Sequence, residues 1–486
     1  MMIGIDFGTT NSGAAIYTPQ GPQMIETVEG KDTMPSAVAQ TETGFVTGHA
    51  ALRQQNENPD YTFKAVKRFL GVDYSDDEHG HFQMAEGPDG KVWWKGRSGL
   101  ISGPQLVAEV LKSVLRAAEF RFGKRPTGAV IGVPVDFREP QREALKAGAM
   151  LAGIQDVHLF EEPYAAALAF ALDRQEFSRV AVYDLGGGTF DITILAMKDG
   201  VSSVKGMNGI GFLGGADFDR RLVDYCADQF FKDEGEDLKS KPHCMVHLNR
   251  EAEDTKIALS SDTEGRVYLE NLTVGADGFK SMNYSVSRDE FVQMTKDLVV
   301  RTMAAVEDAL KQAKMNARDI DHVLLVGGQS RMPLIHDVLA AKFGTQKLVM
   351  GPKPEYAVAL GTALRAAEIE GRIKPGVLER IAATTVGLRR SGGVCVPLIP
   401  KGSKYPVREA VELKTVHDGQ STVEIVIVQG EAPSAEDNTL VWRSVIDVEA
   451  LPEGELTLGL VAEADASGAL RITVDDKVIY GQEAGS

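Results

Sequence analysis

The chain reads as an α/β protein followed by an all-β domain, and three observations carry that reading. Strands alternate with helical stretches up to about residue 370. Two glycine loops, each opened by an aspartate at the end of an apolar strand, stand in the two halves of that region. Beyond Gly371 the helical periodicity disappears, and short apolar runs separated by turn residues replace it.

The first loop is Ile3-Gly4-Ile5-Asp6-Phe7-Gly8-Thr9-Thr10-Asn11-Ser12. The second is Val180-Ala181-Val182-Tyr183-Asp184-Leu185-Gly186-Gly187-Gly188-Thr189-Phe190-Asp191. Each is a buried strand reversing through a glycine turn, so backbone N–H groups converge on one small space. Such a nest attracts phosphate, and the threonine hydroxyls add donors. Asp6 and Asp184 would repel a bare phosphate, and they make sense around a hard cation. Mg²⁺ combines a few carboxylates with waters and phosphate oxygens. As plain turn formers the aspartates would explain one loop; a matched pair favours a duplicated lobe closing on a Mg-nucleotide.

Between and after the loops the elements follow in order. Val130-Ile131-Gly132-Val133-Pro134 is a short buried strand. Residues 140–152 carry Leu145, Ala149 and Ala152 on one helical face. Glu161-Glu162-Pro163 opens an alanine-rich helix over 164–172, where proline in the first turn fits a helix start. A long amphipathic helix is predicted over 291–313. Val323-Leu324-Leu325-Val326 is a further strand, leading through Gly327-Gly328-Gln329-Ser330-Arg331 into another helix. Ile373-Lys374-Pro375-Gly376 reads as a break, with 377–383 as linker. Strands are predicted at 423–428, 456–460 and 470–474, with turns at His417-Asp418-Gly419 and Ala466-Ser467-Gly468. This spacing predicts a β-sandwich of roughly 100 residues.

At 486 residues the chain exceeds one compact domain. Its 43% hydrophobic and 25% charged residues are those of an ordinary globular protein. A formal charge of −17 argues against nucleic acid or an anionic membrane as partner. Cys226, Cys244 and Cys395 are few and scattered, without CxxC pairs, which fits a reducing compartment. No signal core or spanning apolar run is present, so a cytoplasmic location is expected.

Several motifs invite other readings. Gly209-Ile210-Gly211-Phe212-Leu213-Gly214 satisfies the dinucleotide fingerprint, but no acidic residue follows at the required distance. It reads instead as part of a glycine-rich cleft, with Gly214 and Gly215 approaching the ligand. A Walker lysine loop is absent. His79, His81, His243, Cys244 and His247 lack paired ligand spacing and read as surface loops. Lys67 beside Arg68, taken alone, reads as a solvated face, and Glu162 alone as a helix-terminus charge.

The order of motifs resembles the 70-kilodalton heat-shock chaperone family nearly end to end. The resemblance rests on Asp6 to Ser12, Ala65-Val66-Lys67-Arg68, Val133-Pro134-Val135-Asp136-Phe137 and Glu162-Pro163-Tyr164-Ala165-Ala166-Ala167. It continues through residues 184–191, Leu213-Gly214-Gly215-Ala216-Asp217-Phe218-Asp219, residues 253–261 and Val326-Gly327-Gly328-Gln329-Ser330-Arg331-Met332-Pro333. In the β region it includes Val428-Gln429-Gly430-Glu431 and Ala435-Glu436-Asp437-Asn438.

The resemblance implies an α/β actin-like ATPase of duplicated ribonuclease-H-like lobes over 1–374, a linker over 375–385 and an all-β sandwich over 386–486. It implies ATP/ADP, Mg²⁺ and K⁺ as cofactors. Asp6, Asp184 and Glu162 would hold the water shell of the metal. Gly8, Thr9, Thr10, Asn11, Gly186, Gly187, Gly188 and Thr189 would cradle the phosphates. Lys67, Glu162, Thr189 and Asp191 would form the catalytic set, with Lys67 orienting the attacking water. Gly214 and Gly215 would border the ligand, and Glu253, Lys256, Ser260, Gly327, Gly328 and Arg331 would hold adenosine. Arg142 and Pro134 match positions that relay nucleotide state. In the sandwich, Leu388, Ser391, Leu413, Val416 and Val423 would meet extended apolar peptide. Implied partners are unfolded or extended peptide segments and J-domain and nucleotide-exchange co-chaperones, or one dedicated protein, with the chain itself a monomer.

Three departures stand beside the match. Only residues 481–486 follow Tyr480, so the family's helical lid is expected to be absent and bound peptide to leave quickly. The linker Val377-Leu378-Glu379-Arg380-Ile381 carries two charges where the family is apolar, which should weaken its docking. Ser391 replaces a bulky arch residue, and Arg389 and Arg390 beside it would favour acidic segments. The sandwich without any ligand stays an open reading. A nucleotide-switched scaffold and a small-molecule kinase of the same superfamily are the competing functions.

Overall fold

The structure is a computed structural model. It describes residues 1–481 except 56, 77–82, 136, 172–177, 199–200, 276–277, 352, 375–376, 380, 383 and 466–467. Of the sequence features above, Asp136, His79, His81, Pro375, Gly376, Arg380, Ala466, Ser467 and the residues after Gly481 lie outside the described residues.

Two sheets of the same pairing pattern organise the first part of the chain. In one, Met2–Phe7, Asn11–Thr18 and Gly21–Met24 are successively antiparallel, and Gly128–Val133 and Asp156–Glu161 extend Met2–Phe7 in parallel. In the other, Ser178–Leu185, Phe190–Lys198 and Val201–Ile210 are antiparallel. His322–Val326 and Leu348–Met350 extend Ser178–Leu185 in parallel. The interior strand Gly128–Val133, between Asp156–Glu161 and Met2–Phe7, is buried at every residue, as a strand covered on both faces must be.

Helices Glu162–Ala171 and Ala357–Ile369 pack on each other, and Ala357–Ile369 also covers Met2–Phe7. Gly361 permits this contact, because a Cβ there would stand 1.7 Å from the Ala165 carbonyl oxygen. The long helix is Arg288–Ala313, three residues longer at its start than the apolar periodicity predicts. A capping box sets the boundary: Glu290 N–H donates to Ser287 Oγ at 3.2 Å, and Ser287 N–H donates to the Glu290 carboxylate at 2.8 Å. The helix Gly103–Phe122 and the hairpin Glu264–Gly275 with Gly278–Ser287 have no counterpart in the sequence reading. His243 and His247 are exposed on the helix Pro242–Ala258, correcting their reading as loop residues, and Cys244 is buried beside them.

Beyond residue 380 two four-stranded sheets face each other. One holds Cys395–Ile399, Val386–Arg389, Gln420–Gln429 and Thr439–Leu451; the other holds Val407–Lys414, Thr457–Ala464, Leu470–Val474 and Lys477–Tyr480. Thr457–Ala464 alternates exposed and covered residues, the period-two pattern of a one-sided strand. Leu388, Ile425, Leu413, Leu460 and Ile472 meet in the core between the sheets.

The connecting strand Val377–Glu379 pairs in parallel with Val201–Ser203 at the edge of the second sheet. This pairing is made by backbone groups, so charged side chains do not preclude it. Ile381 is buried with Tyr164 and Met207 on one side of the junction, and Ala382 joins the sandwich core on the other. Glu139 N–H donates to Gln429 Oε1 at 3.1 Å, and the Tyr480 hydroxyl donates to Glu143 Oε1 at 2.8 Å.

Gly361→Ala is expected to destabilise the protein by about 3 kcal/mol, because the added methyl overpacks a helix contact without free volume. Urea unfolding would show a lower midpoint; an unchanged midpoint would contradict the close packing.

Candidate active site

The two glycine loops face each other. A Cβ on Gly187 would stand 2.1 Å from Thr10 Oγ1, and one on Gly188 would stand 2.7 Å from Thr9 Oγ1. Only residues without side chains let the two turns approach so closely. Asp6 sits in the strand before the first turn, opposite Gly13, and Asp184 in the strand before the second, opposite Asp191.

Between the loops lies a cavity of about 390 Å³. Asp6, Lys67, Glu162 and Asp184 line it, together with Gly8, Thr9, Thr10, Asn11, Gly186, Gly187, Gly188 and Thr189. Gly215, Glu253, Lys256, Ser260, Gly327, Gly328 and Arg331 also line it. Two residues of the expected set do not reach its wall. Gly214 packs against the Gly188 backbone. Asp191 is buried, and its Oδ1 accepts the Val135 N–H at 3.0 Å, tying the second loop to the strand end beside Pro134.

Charge is unevenly balanced here. Lys67 Nζ donates to Glu162 Oε1 at 2.5 Å, and both side chains are buried. That leaves Asp6 and Asp184 facing Glu162 with no second cation among these four groups. Burial, then the Glu162 charge, pushes the Asp6 carboxyl up to about 7, with Lys67 opposing. Burial and the charges of Glu162 and Asp6 hold Asp184 well above the usual carboxylate range. Burial works against the Lys67 charge, but Glu162, Asp6 and Asp191 outweigh it and raise the ammonium. Among the described residues no three acidic, histidine or cysteine side chains are close enough to grip an ion directly. Asp6, Glu162 and Asp184 are the acidic groups of this cavity that would hold a hard cation such as Mg²⁺.

A second polar cluster in the same cavity is built by Lys256, whose Nζ pairs with Asp219 Oδ1 at 2.8 Å and donates to the Gly215 carbonyl at 3.3 Å. Burial pushes Asp219 up to about 6 despite Lys256. Arg331 pairs with Glu355 at 2.8 Å at the rim. Asp219, Ile257, Gln329 and Glu355 line the cavity but were not singled out from sequence. Asp219 and Ile257 fall inside quoted motifs, whereas Glu355 lies outside all of them. The glycine run at 209–214 ends an antiparallel strand, Val201–Ile210, so it is no dinucleotide fold.

In the sandwich, Leu388 and Leu413 are core residues and Val423 is packed against that core, while Ser391 and Val416 are exposed. Arg389 lies 3.6 Å from Glu424, and the Arg390 guanidinium donates to the Glu412 carbonyl at 3.3 Å.

Comparison with protein families matches residues 2–484 to the family described as Hsp70 protein. The chain belongs to the Hsp70 family. Hsp70 proteins are ATP-binding chaperones and in general ATPases that use ATP/ADP with Mg²⁺. The mixed α/β part followed by a β-sandwich agrees with an Hsp70 fold. No helix among the described residues is long and apolar enough to cross a membrane.

An acid whose pKa is higher folded than unfolded binds extra protons in the folded state, so stability falls as pH rises between the two values. For Asp6 that window runs from its ordinary 3.8 to about 7. Without nucleotide and Mg²⁺, thermal stability of this Hsp70 should decline across the window. Asp6→Asn should flatten the decline and raise the melting temperature at pH 8. An unchanged profile in the variant would refute the charge assignment.

Proposed function

We propose that this Hsp70 chain is a slow ATPase with chaperone-like activity, binding extended apolar peptide in its C-terminal sandwich. The observation that carries the reading is the meeting of Lys67, Glu162, Asp6 and Asp184 in one cavity between facing glycine loops. The recurring pairing pattern of the two sheets supports duplicated ribonuclease-H-like lobes within residues 1–374. Residues 375–385 would then be the linker and 386–486 the substrate domain.

In this reading the backbone of Gly186, Gly187 and Gly188 and the hydroxyls of Thr9, Thr10 and Thr189 bind the phosphates. Asp6, Asp184 and Glu162 hold the waters of Mg²⁺, with K⁺ nearby. The bound cation supplies neutralisation of charge on the phosphate oxygens. Lys67 leaves its short contact with Glu162 to orient the attacking water beside Thr189. Positioning and charge neutralisation suffice for phosphoryl transfer to water. Asp191 acts on the site through Val135 and through the Lys67 charge. Glu253, Lys256, Ser260, Gly327, Gly328 and Arg331 hold the nucleoside.

A dedicated partner in place of many peptides is the second reading. The interior positions of Leu388 and Leu413 and the exposed Ser391 and Val416 favour it. Co-chaperones of the J-domain and nucleotide-exchange kinds would act on either form.

Single-turnover ATP hydrolysis with a panel of unrelated extended apolar peptides separates the two. Acceleration by several peptides supports the chaperone reading; acceleration by none removes it in favour of the dedicated partner. Lys67→Ala and Thr189→Ala should each lower turnover by about 100-fold, the usual scale for losing one preorganised transition-state contact. Circular dichroism should show both variants folded, and near-normal turnover in both would overturn the catalytic set.

A further inference from the structure

A second cavity, of about 640 Å³, lies directly behind the catalytic cleft. Thr189 lines both cavities. Lys67 lines the cleft, and the next residue, Arg68, lines the second cavity. Thr384 of the linker segment and Lys401 and Thr439 of the sandwich complete its wall.

The lining is cationic. Arg68, Arg138 and Lys401 contribute to it, and Asp73 is the one acidic side chain among its described residues. Asp73 is already paired with Lys91 at 2.5 Å. Arg138 and Lys401 have no carboxylate partner among the described residues. Arg68 gives one nitrogen to Asp217 at 2.7 Å, and Phe212 stacks on its guanidinium at 5.1 Å. Its Nε remains a buried donor with no hydrogen-bond partner. An orphaned buried guanidinium donor is costly unless something accepts from it. A polar cavity lined by three cationic side chains and by threonine hydroxyls suits a small, highly charged oxyanion.

We propose that this cavity is the holding site and exit route of the inorganic phosphate cleaved from ATP, with the β-sandwich as its outer gate. The inference rests on the ATPase reading above. Cleavage leaves ADP on the adenosine side of the cleft, which keeps that path blocked. The phosphate, displaced past Thr189, meets Arg68 first and then Arg138 and Lys401. Movement of the sandwich carries Lys401 away and opens the cavity to solvent. Phosphate release is thereby tied to the position of the substrate domain rather than to the chemical step.

The test uses the full chain and inorganic phosphate as probe. Lys401→Glu and Arg138→Glu, singly and together, leave the cleft residues intact, so single-turnover hydrolysis measured by acid quench should stay within about twofold. Phosphate release, followed with a fluorescent phosphate sensor, should accelerate several-fold in the double variant. Inhibition of turnover by added phosphate in the presence of ADP should weaken by roughly tenfold. Lys401→Arg should retain wild-type behaviour, which separates charge from packing. Normal hydrolysis with unchanged release and unchanged phosphate inhibition would overturn the exit route alone. A wild-type chain that hydrolyses no ATP would overturn the ATPase reading, and the exit route with it.

Discussion

The surplus of negative charge between the two glycine loops is the constraint around which the first part of the chain is arranged. Asp6, Glu162 and Asp184 share one cavity with Lys67, and like charges brought out of water oppose folding. The fold tolerates them because Lys67 is locked onto Glu162 and because a polar cavity keeps room for water and ligand. Glycines at 187 and 188 then matter electrostatically as well as sterically. They bring Thr9, Thr10 and two sets of backbone N–H groups to the same space. A cation with a polyphosphate satisfies both halves of that arrangement, so the site is least stable when empty. Strain of this kind is usual where a protein must bind strongly and then let go.

From this cluster a short chain of contacts leads outward. Asp191 holds the Val135 N–H, which fixes the segment containing Pro134. Glu161, adjacent to Glu162, accepts from Arg142 at 3.1 Å, and Arg142 also donates to the Phe137 carbonyl at 3.1 Å. The same helix, Glu139–Leu151, meets the sandwich through Gln429 and Tyr480. Few groups separate the cleft from the second domain, and the last two contacts, Glu139 with Gln429 and Glu143 with Tyr480, are those that domain movement would take away. Coupling between sites is typically worth ~1–3 kcal/mol, which a handful of such contacts can supply. The backbone pairing of Val377–Glu379 onto the second sheet adds a tether indifferent to side-chain charge.

Much of this was legible in the sequence, for physical reasons that differ from place to place. The glycine loops were readable because their chemistry is local: strand, aspartate, glycines and hydroxyls follow one another. The strand at 456–460 and the apolar runs at 130–133 and 323–326 are likewise set by nearest neighbours. The start of the helix at Arg288 was misjudged because a cap, rather than periodicity, sets it. The motif places Asp191 in the catalytic set, and folding adds a contact that the motif does not show: its Oδ1 accepts from the Val135 N–H, 56 positions earlier. The side chains of the linker predict weakened docking, and they do not reveal the backbone pairing of Val377–Glu379 with residues 201–203. The second cavity was not legible at all, since Arg68, Arg138 and Lys401 come together only when three distant segments fold.

Titration calorimetry of ATP into the chain at pH 7, with Mg²⁺ and with a chelator, tests the central claim most directly. With Asp6 pushed up to about 7 and Asp184 held well above the usual carboxylate range, binding of the Mg-nucleotide should expel protons. The account predicts binding that requires Mg²⁺ and a heat that varies with buffer ionisation enthalpy in the direction of proton release. Equal binding in the chelator, with a heat independent of buffer, would contradict it.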